Sequence, residues 1–260
     1  MLCAFAMRAQ SKDATPAAPK LSPQEIAAAT RFDALTVPTP GELFAALDKV
    51  AKPNWQTQYR PPIPTAFTSR PQIALNLGGL IADGYIAVEA EDAQQVKNIG
   101  KDIVALAKTL GVSENVLRRG KSIEDFADTN EWSTLKEELE ATQNEVKLAM
   151  EEQHDEELIT LVSLGGWIRG TEAVSGWVAA NYTPAEAKLL RQPAIVTFLR
   201  GKIAALPEKA RSDGLVKSVD DKLALLGSQV SFPREDTPAE DAVKALKTTA
   251  SQLVSIISKR

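Results

Sequence analysis

A single histidine, His154, stands in the 260-residue chain, three positions after Glu151. On a helix this Glu-x-x-His spacing puts carboxylate and imidazole on one face, as in bundles that hold a carboxylate-bridged diiron centre. Such a centre needs further glutamates projecting inward from neighbouring helices. Here the pair sits in the run Glu151, Glu152, Asp155, Glu156 and Glu157, which reads first as a solvated helix end. One cysteine, Cys3, excludes internal disulfides and multi-cysteine zinc sites, and the isolation of the one histidine rules out most metal-site and triad schemes. No Gly-x-x-x-x-Gly-Lys-Ser/Thr phosphate loop, Gly-x-Ser-x-Gly elbow or His-Glu-x-x-His motif occurs. These residues designate no catalytic group and no cofactor.

A second constellation is built from glycine. Leu77-Gly78-Gly79-Leu80-Ile81 recurs as Leu164-Gly165-Gly166-Trp167-Ile168, each inside an apolar segment. Glycine within a helix costs about 1 kcal/mol against alanine, so paired glycines need a compensating gain. One gain is close backbone approach: Gly166 and Gly170, like Gly78 and Ala82, fall four apart and make a smooth face for another helix. The other is a pocket where side chains are missing, lined by Asp83, Tyr85, Arg169 and Glu172 beside Gly78, Gly79, Gly165 and Gly166. The recurrence also raises an internal duplication of a helical hairpin.

The elements that must position these residues are helices. Residues 70–260 carry apolar positions at threes and fours: Ile73 to Val88, then Val96 to Leu110 with Gly111 as a stop. Two short elements follow, around Val116 and Leu117 and around Ile123 and Phe126. Further helices span Glu131 to Gln153, Leu158 to Ala180, a stretch opened by Thr183-Pro184 and broken at Pro193, Leu215 to Leu226, and Pro238 to Ser258. The expectation is an all-α bundle of about eight longer helices. Three apolar runs, Ile73 to Leu77, Leu158 to Leu164 and Ala194 to Leu199, keep a strand alternative open, because periodicity alone does not separate short buried strands from helix. Ahead of the bundle, residues 21–69 form a proline-rich arm with two short helices, opened by Ser22-Pro23 and Thr39-Pro40, and a strap carrying Trp55 and Tyr59.

Residues 1–20 read as a signal-peptide remnant or disordered tail, since Ala4-Phe5-Ala6 has the small-x-small form of a signal-peptidase site. Export to the periplasm or beyond is the expectation over a cytoplasmic location. A net charge of -4 argues against a nucleic-acid partner, which needs a concentrated basic face. Acids dominate from Glu131 to Glu157, and bases such as Lys188, Arg191, Arg200, Lys202, Lys209 and Arg211 follow later. No apolar run reaches the length of a bilayer span. The sequence therefore reads as a non-enzymatic, exported helical binding or scaffolding protein with a protein or small-molecule partner. Its alternative is a metal or pocket enzyme using Glu151 and His154 or the glycine helices.

Overall fold

The computed structural model describes residues 37–259, with the backbone alone for 113–118, 145–147 and 149. The tail 1–20, where an export signal was expected, and the expected short helix opened by Ser22-Pro23 lie outside the described residues. Among those described there are eleven α-helices and no strand. All three apolar runs that kept a strand alternative open are helical.

The arm enters through α1 (Pro40–Asp48). Its start is a full capping box: Thr39 accepts from the Glu42 N–H at 3.2 Å, and Glu42 accepts from the Thr39 N–H at 2.7 Å. Phe44 and Leu47 are completely buried, and the Phe44 ring meets Trp55 at 4.6 Å between centroids. Trp55 opens a 3-10 turn (Trp55–Gln58) and donates its indole N–H to Asp48 at 3.2 Å. Burial pushes the Asp48 carboxyl above its ordinary range against the lowering effect of that hydrogen bond.

Five helices then follow with two or three residues between them: α2 (Arg70–Glu89), α3 (Ala93–Leu110), α4 (Ser113–Asp128), α5 (Trp132–Glu152) and α6 (Glu156–Ala180). Each connection has a left-handed residue at its helix end: Gly111 is the cap of α3, and Glu91, Asn130 and His154 follow the last helical residue by two places. Beside each, the next N–H reaches back five residues, as from Asp92 to the Ala87 carbonyl and from Asp155 to the Met150 carbonyl. These are Schellman closures, which satisfy the last carbonyls of one helix while turning the chain into the next. The α4 segment, expected as two short elements, is one helix that runs through Gly120.

The remaining helices are α7 (Pro184–Lys188), α8 (Pro193–Ala205), α9 (Glu208–Arg211), α10 (Gly214–Gln229) and α11 (Glu240–Ser258). Pro193 starts a new helix, and Pro207 lies just past the end of α8. After residue 70, eight helices have thirteen residues or more, matching the expected bundle.

Helices α2 and α6 form the centre. They run in the same direction, with Arg70 meeting Asp155 near their starts and Asp83 meeting Arg169 further along. Their contact is made by glycine. A Cβ on Gly78 would stand 1.9 Å from the Val162 carbonyl oxygen, and one on Gly165 would stand 2.0 Å from the Leu75 carbonyl oxygen. Each glycine thus lies on the carbonyl three residues before the other. The recurrence seen in the sequence is realised at this crossing. It does not extend to the neighbours: α2 packs along α3, which follows it, whereas α6 packs chiefly along α11, the last helix. Asn76, buried on α2, donates to the Ile257 carbonyl at 2.8 Å and so helps to close the end of α11.

Candidate functional site

Of the residues expected to line a pocket, Asp83, Arg169 and Glu172 come together. Arg169 Nε donates to Asp83 Oδ1 at 2.7 Å, and Arg169 Nη1 donates to Glu172 Oε2 at 3.1 Å. Nothing in the residue pattern pointed to the fourth member, Arg60 in the strap, whose Nε and Nη2 donate to Asp83 Oδ2 at 2.9 and 2.6 Å. Gly79 makes room for it, since a Cβ there would lie 3.2 Å from Arg60 Nη2. A further bond from Arg169 Nη2 to the Gln58 carbonyl ties the strap to α6. Both oxygens of Asp83 are engaged, so the cluster is a buried staple that fixes the strap across α2 and α6. A cavity of about 330 Å³ opens beside it between the strap and α3, and burial pushes the Asp102 carboxyl at its edge above its ordinary range.

The other glycines of the doublets are also occupied. Gly166 lies 3.5 Å from Pro40 by its notional Cβ, and Gly170 lies 2.9 Å from Leu43 Cδ1, so this face of α6 receives α1. The doublets therefore serve packing on both sides, as the close-approach reading expected.

Tyr85 is apart from the ionic cluster. It faces a different and larger cavity, about 430 Å³, that lies among α2, α3, α4 and α5 and opens to solvent. The cavity lies between two hydrophobic cores, the main one and a smaller one around Ala87, Val96, Ala127 and Leu135; Ile99 and Leu139 pack against both. Its walls are mostly apolar, with Leu77, Ile81, Ile99, Ile103, Ile123 and Leu139. Three glycines, Gly84, Gly100 and Gly120, line it as well. A Cβ on Gly100 or Gly120 would meet nothing within 4 Å, and one on Gly84 would meet only ordinary contacts with Ile99 and Ile103. Helical spacing puts Gly100 on the inward stripe of Val96, Ile103 and Ala107, and Gly120 on that of Ile123 and Ala127. Unlike Gly78 and Gly165, these two allow no close approach; what they leave is open volume. No family model, no curated protein and no solved structure matches the chain.

The polar groups of this cavity are few. Tyr85 is 2% exposed, and its hydroxyl donates to Gln143 Oε1 over a long 3.5 Å. Burial, and after it the charges of Glu140 and Glu42, hold the Tyr85 hydroxyl protonated well above its ordinary range. Thr142 turns its hydroxyl back to the Glu138 carbonyl at 2.7 Å. Lys97, Lys101, Lys121 and Glu124 also border the cavity, and Lys97 is paired with Asp128.

Glu151 and His154 do not form the helical pair that their spacing implied. Helix α5 ends at Glu152, and His154 has a φ of 55° as the left-handed residue of the closure into α6. Both side chains are exposed. Among the described residues, no group of three or more His, Cys, Asp or Glu side chains is arranged to hold a metal ion. The acidic stretch instead contributes to local ties: Asp155 caps α6 and holds Arg70, and Glu138 accepts from Arg119 at 2.9 Å. Of the later bases, Arg200 pairs with Asp220 on α10 rather than with the acidic stretch. No helix among the described residues is long and apolar enough to cross a membrane.

The cavity was missed from sequence because its glycines stand singly and its isoleucines read as ordinary core. A faint signal was present. Gly100 and Gly120 interrupt inward stripes where a helix destined for dense packing carries a side chain.

Proposed function

We propose that this protein is a non-enzymatic binding protein that carries one small apolar molecule in the cavity among α2 to α5. The observation that carries the reading is the pair Gly100 and Gly120, each on an inward helical stripe with nothing within 4 Å of where a Cβ would stand. Two glycines in helix interiors cost about 1 kcal/mol each against alanine, and neither is offset by a close helix contact. Retaining an open apolar volume is the gain that accounts for both. A cavity of about 430 Å³ with apolar walls and a few polar groups has the size and character of a small-molecule site. Asp83 accepts three hydrogen bonds from Arg60 and Arg169 and so serves as a structural tie between the strap and the central helices, which favours a binding role over a catalytic one.

The test uses diphenylhexatriene, a hydrocarbon whose fluorescence rises in apolar surroundings. The full chain should bind it saturably at one site. A Gly100→Leu/Gly120→Leu double variant, with helix content unchanged by circular dichroism, should lose that binding. Absence of saturable binding in the parent, or binding untouched by both leucines, overturns the reading.

Export completes the proposal and rests on Ala4-Phe5-Ala6 alone. Protein from its native cells should begin downstream of Ala6; an intact Met1 there would overturn this part.

A further inference from the structure

We infer that the ligand of the α2–α5 cavity is an elongated apolar molecule bearing one neutral oxygen acceptor, an alcohol or ester rather than a carboxylic acid, read by Tyr85 and Gln143. This rests on the cavity being the binding site. Within it, the Tyr85 hydroxyl is buried among apolar side chains of the main core, where a phenol normally holds a full-strength hydrogen bond. Its one bond, to Gln143, is 3.5 Å long, at the limit of useful geometry. Among the described residues, the Gln143 amide N–H groups donate to nothing. Two donors thus stand together on the wall: the buried Tyr85 hydroxyl, with only a weak acceptor, and the half-buried Gln143 amide, and a buried donor without a good partner is costly. A ligand oxygen between them would accept from the hydroxyl of Tyr85 and from the amide of Gln143.

Charge decides between neutral and anionic oxygen. A ligand carboxylate at Tyr85 would be placed among apolar side chains with no cation bonded to Tyr85 or Gln143, and a buried charge without a partner is costly. The lysines that border the cavity do not change this at Tyr85, since Lys97 is held by Asp128 and none of the three donates to Tyr85 or Gln143. The remaining wall, Leu77, Ile81, Ile99, Ile103 and Leu139, offers only apolar contact, which fits an alkyl body.

The experiment is displacement of diphenylhexatriene from the full chain by four amphiphiles of equal chain length: an n-alkanol, a methyl ester, a chloroalkane and a carboxylic acid at neutral pH. The alkanol and the ester should displace the probe at about tenfold lower concentration than the chloroalkane or the acid, the gain expected of a recovered buried hydrogen bond. Tyr85→Phe keeps the ring and should bring the alkanol to the level of the chloroalkane while probe binding is retained; Gln143→Met should act in the same direction. Four compounds displacing equally overturns the inference and leaves the cavity reading standing. An acid that displaces best, and loses its advantage in Lys101→Ala/Lys121→Ala, also overturns it and assigns an anionic amphiphile instead. A parent protein that binds no probe overturns both.

Discussion

Gly78 and Gly165 lie back to back at the crossing of α2 and α6, each pressed on a carbonyl of the opposite helix. A methyl group at either would stand about 2 Å from a backbone oxygen, at 1.9 Å for Gly78 and 2.0 Å for Gly165. No side-chain rotation relieves such a contact, because the Val162 and Leu75 oxygens belong to the backbone. The helices would have to separate and open the core around them. Gly78→Ala and Gly165→Ala should each destabilise by roughly 3 kcal/mol or more, at the upper end of overpacking effects. Gly79→Ala should cost less, because a Cβ there would stand 3.2 Å from a side-chain atom, Arg60 Nη2, and not against backbone. Urea denaturation midpoints check the order; equal effects at Gly78 and Gly79 would contradict the crossing.

The Asp83 cluster makes a second prediction. Arg169 has a side chain only 4% exposed, and Asp83 is the carboxylate it shares with Arg60. Asp83→Ala leaves a buried guanidinium with Glu172 as its remaining ion partner, and breaking a buried pair in this way typically costs about 3 to 5 kcal/mol. Arg60→Ala should cost less, since its side chain is 17% exposed and Asp83 keeps Arg169. Comparison of the two variants by chemical denaturation checks this, and an Asp83→Ala protein as stable as the parent would refute it.

Much of the fold was legible because local chemistry and packing agree. Helix α3 was readable at both ends, from its apolar stripe and from Gly111, and α8 from the capping and breaking power of Pro193 and Pro207. The stretch expected as two short elements, around Val116 and Leu117 and around Ile123 and Phe126, is one continuous helix through Gly120, because a single glycine weakens a helix without ending it. At the site, Asp83, Arg169 and Glu172 were readable as a group through the glycine doublets that bring α2 and α6 together. Arg60 was not, since nothing in a proline-rich strap records which helix it will cross. His154 failed for a related reason. Its spacing from Glu151 assumed continuing helix, and spacing does not reveal the left-handed turn that moves it off the helix face.

That turn is itself testable. Glu91 and His154 hold φ values of 52° and 55° in Schellman closures where Gly111 serves the same purpose without a Cβ. Left-handed backbone costs a non-glycine residue roughly 1 kcal/mol. Glu91→Gly and His154→Gly should each raise stability by a few tenths to about 1 kcal/mol, net of the greater freedom glycine gives the unfolded chain. A fall in the thermal midpoint for both would show that their side chains contribute more than their backbone costs.

Acid dependence should trace partly to Asp155. The hydrogen bond from Arg70 holds its carboxyl below the ordinary aspartate value of 3.8, aided by the Leu158 N–H and opposed by burial. A depressed folded value means that the unfolded chain takes up the proton first. The stabilisation is therefore present above pH 3.8 and is lost as pH falls through the lower folded value. Asp155→Asn keeps a side-chain oxygen to cap α6 but removes the charge. Its stability deficit should be largest above 3.8 and should shrink below it, as followed by urea denaturation across this range. A deficit independent of pH would mean the charge of Asp155 contributes nothing.

The last prediction separates the two kinds of glycine by sign. Gly78 and Gly100 are both in helix interiors, and sequence propensity treats them alike. Their surroundings are opposite: backbone at 1.9 Å from a notional Cβ in one case, and nothing within 4 Å in the other. A methyl group added at Gly100 or Gly120 meets no clash, raises helix propensity and reduces the freedom of the unfolded chain. Gly100→Ala and Gly120→Ala should each stabilise by about 0.5 to 1 kcal/mol. Each methyl also takes volume from the cavity, so the same variants should bind diphenylhexatriene more weakly than the parent. Stability gained with binding lost is the signature of glycines kept for an open site. Alanines that stabilise and leave binding unchanged would place both positions away from the ligand, and alanines that destabilise would mean that the space beside them is not open.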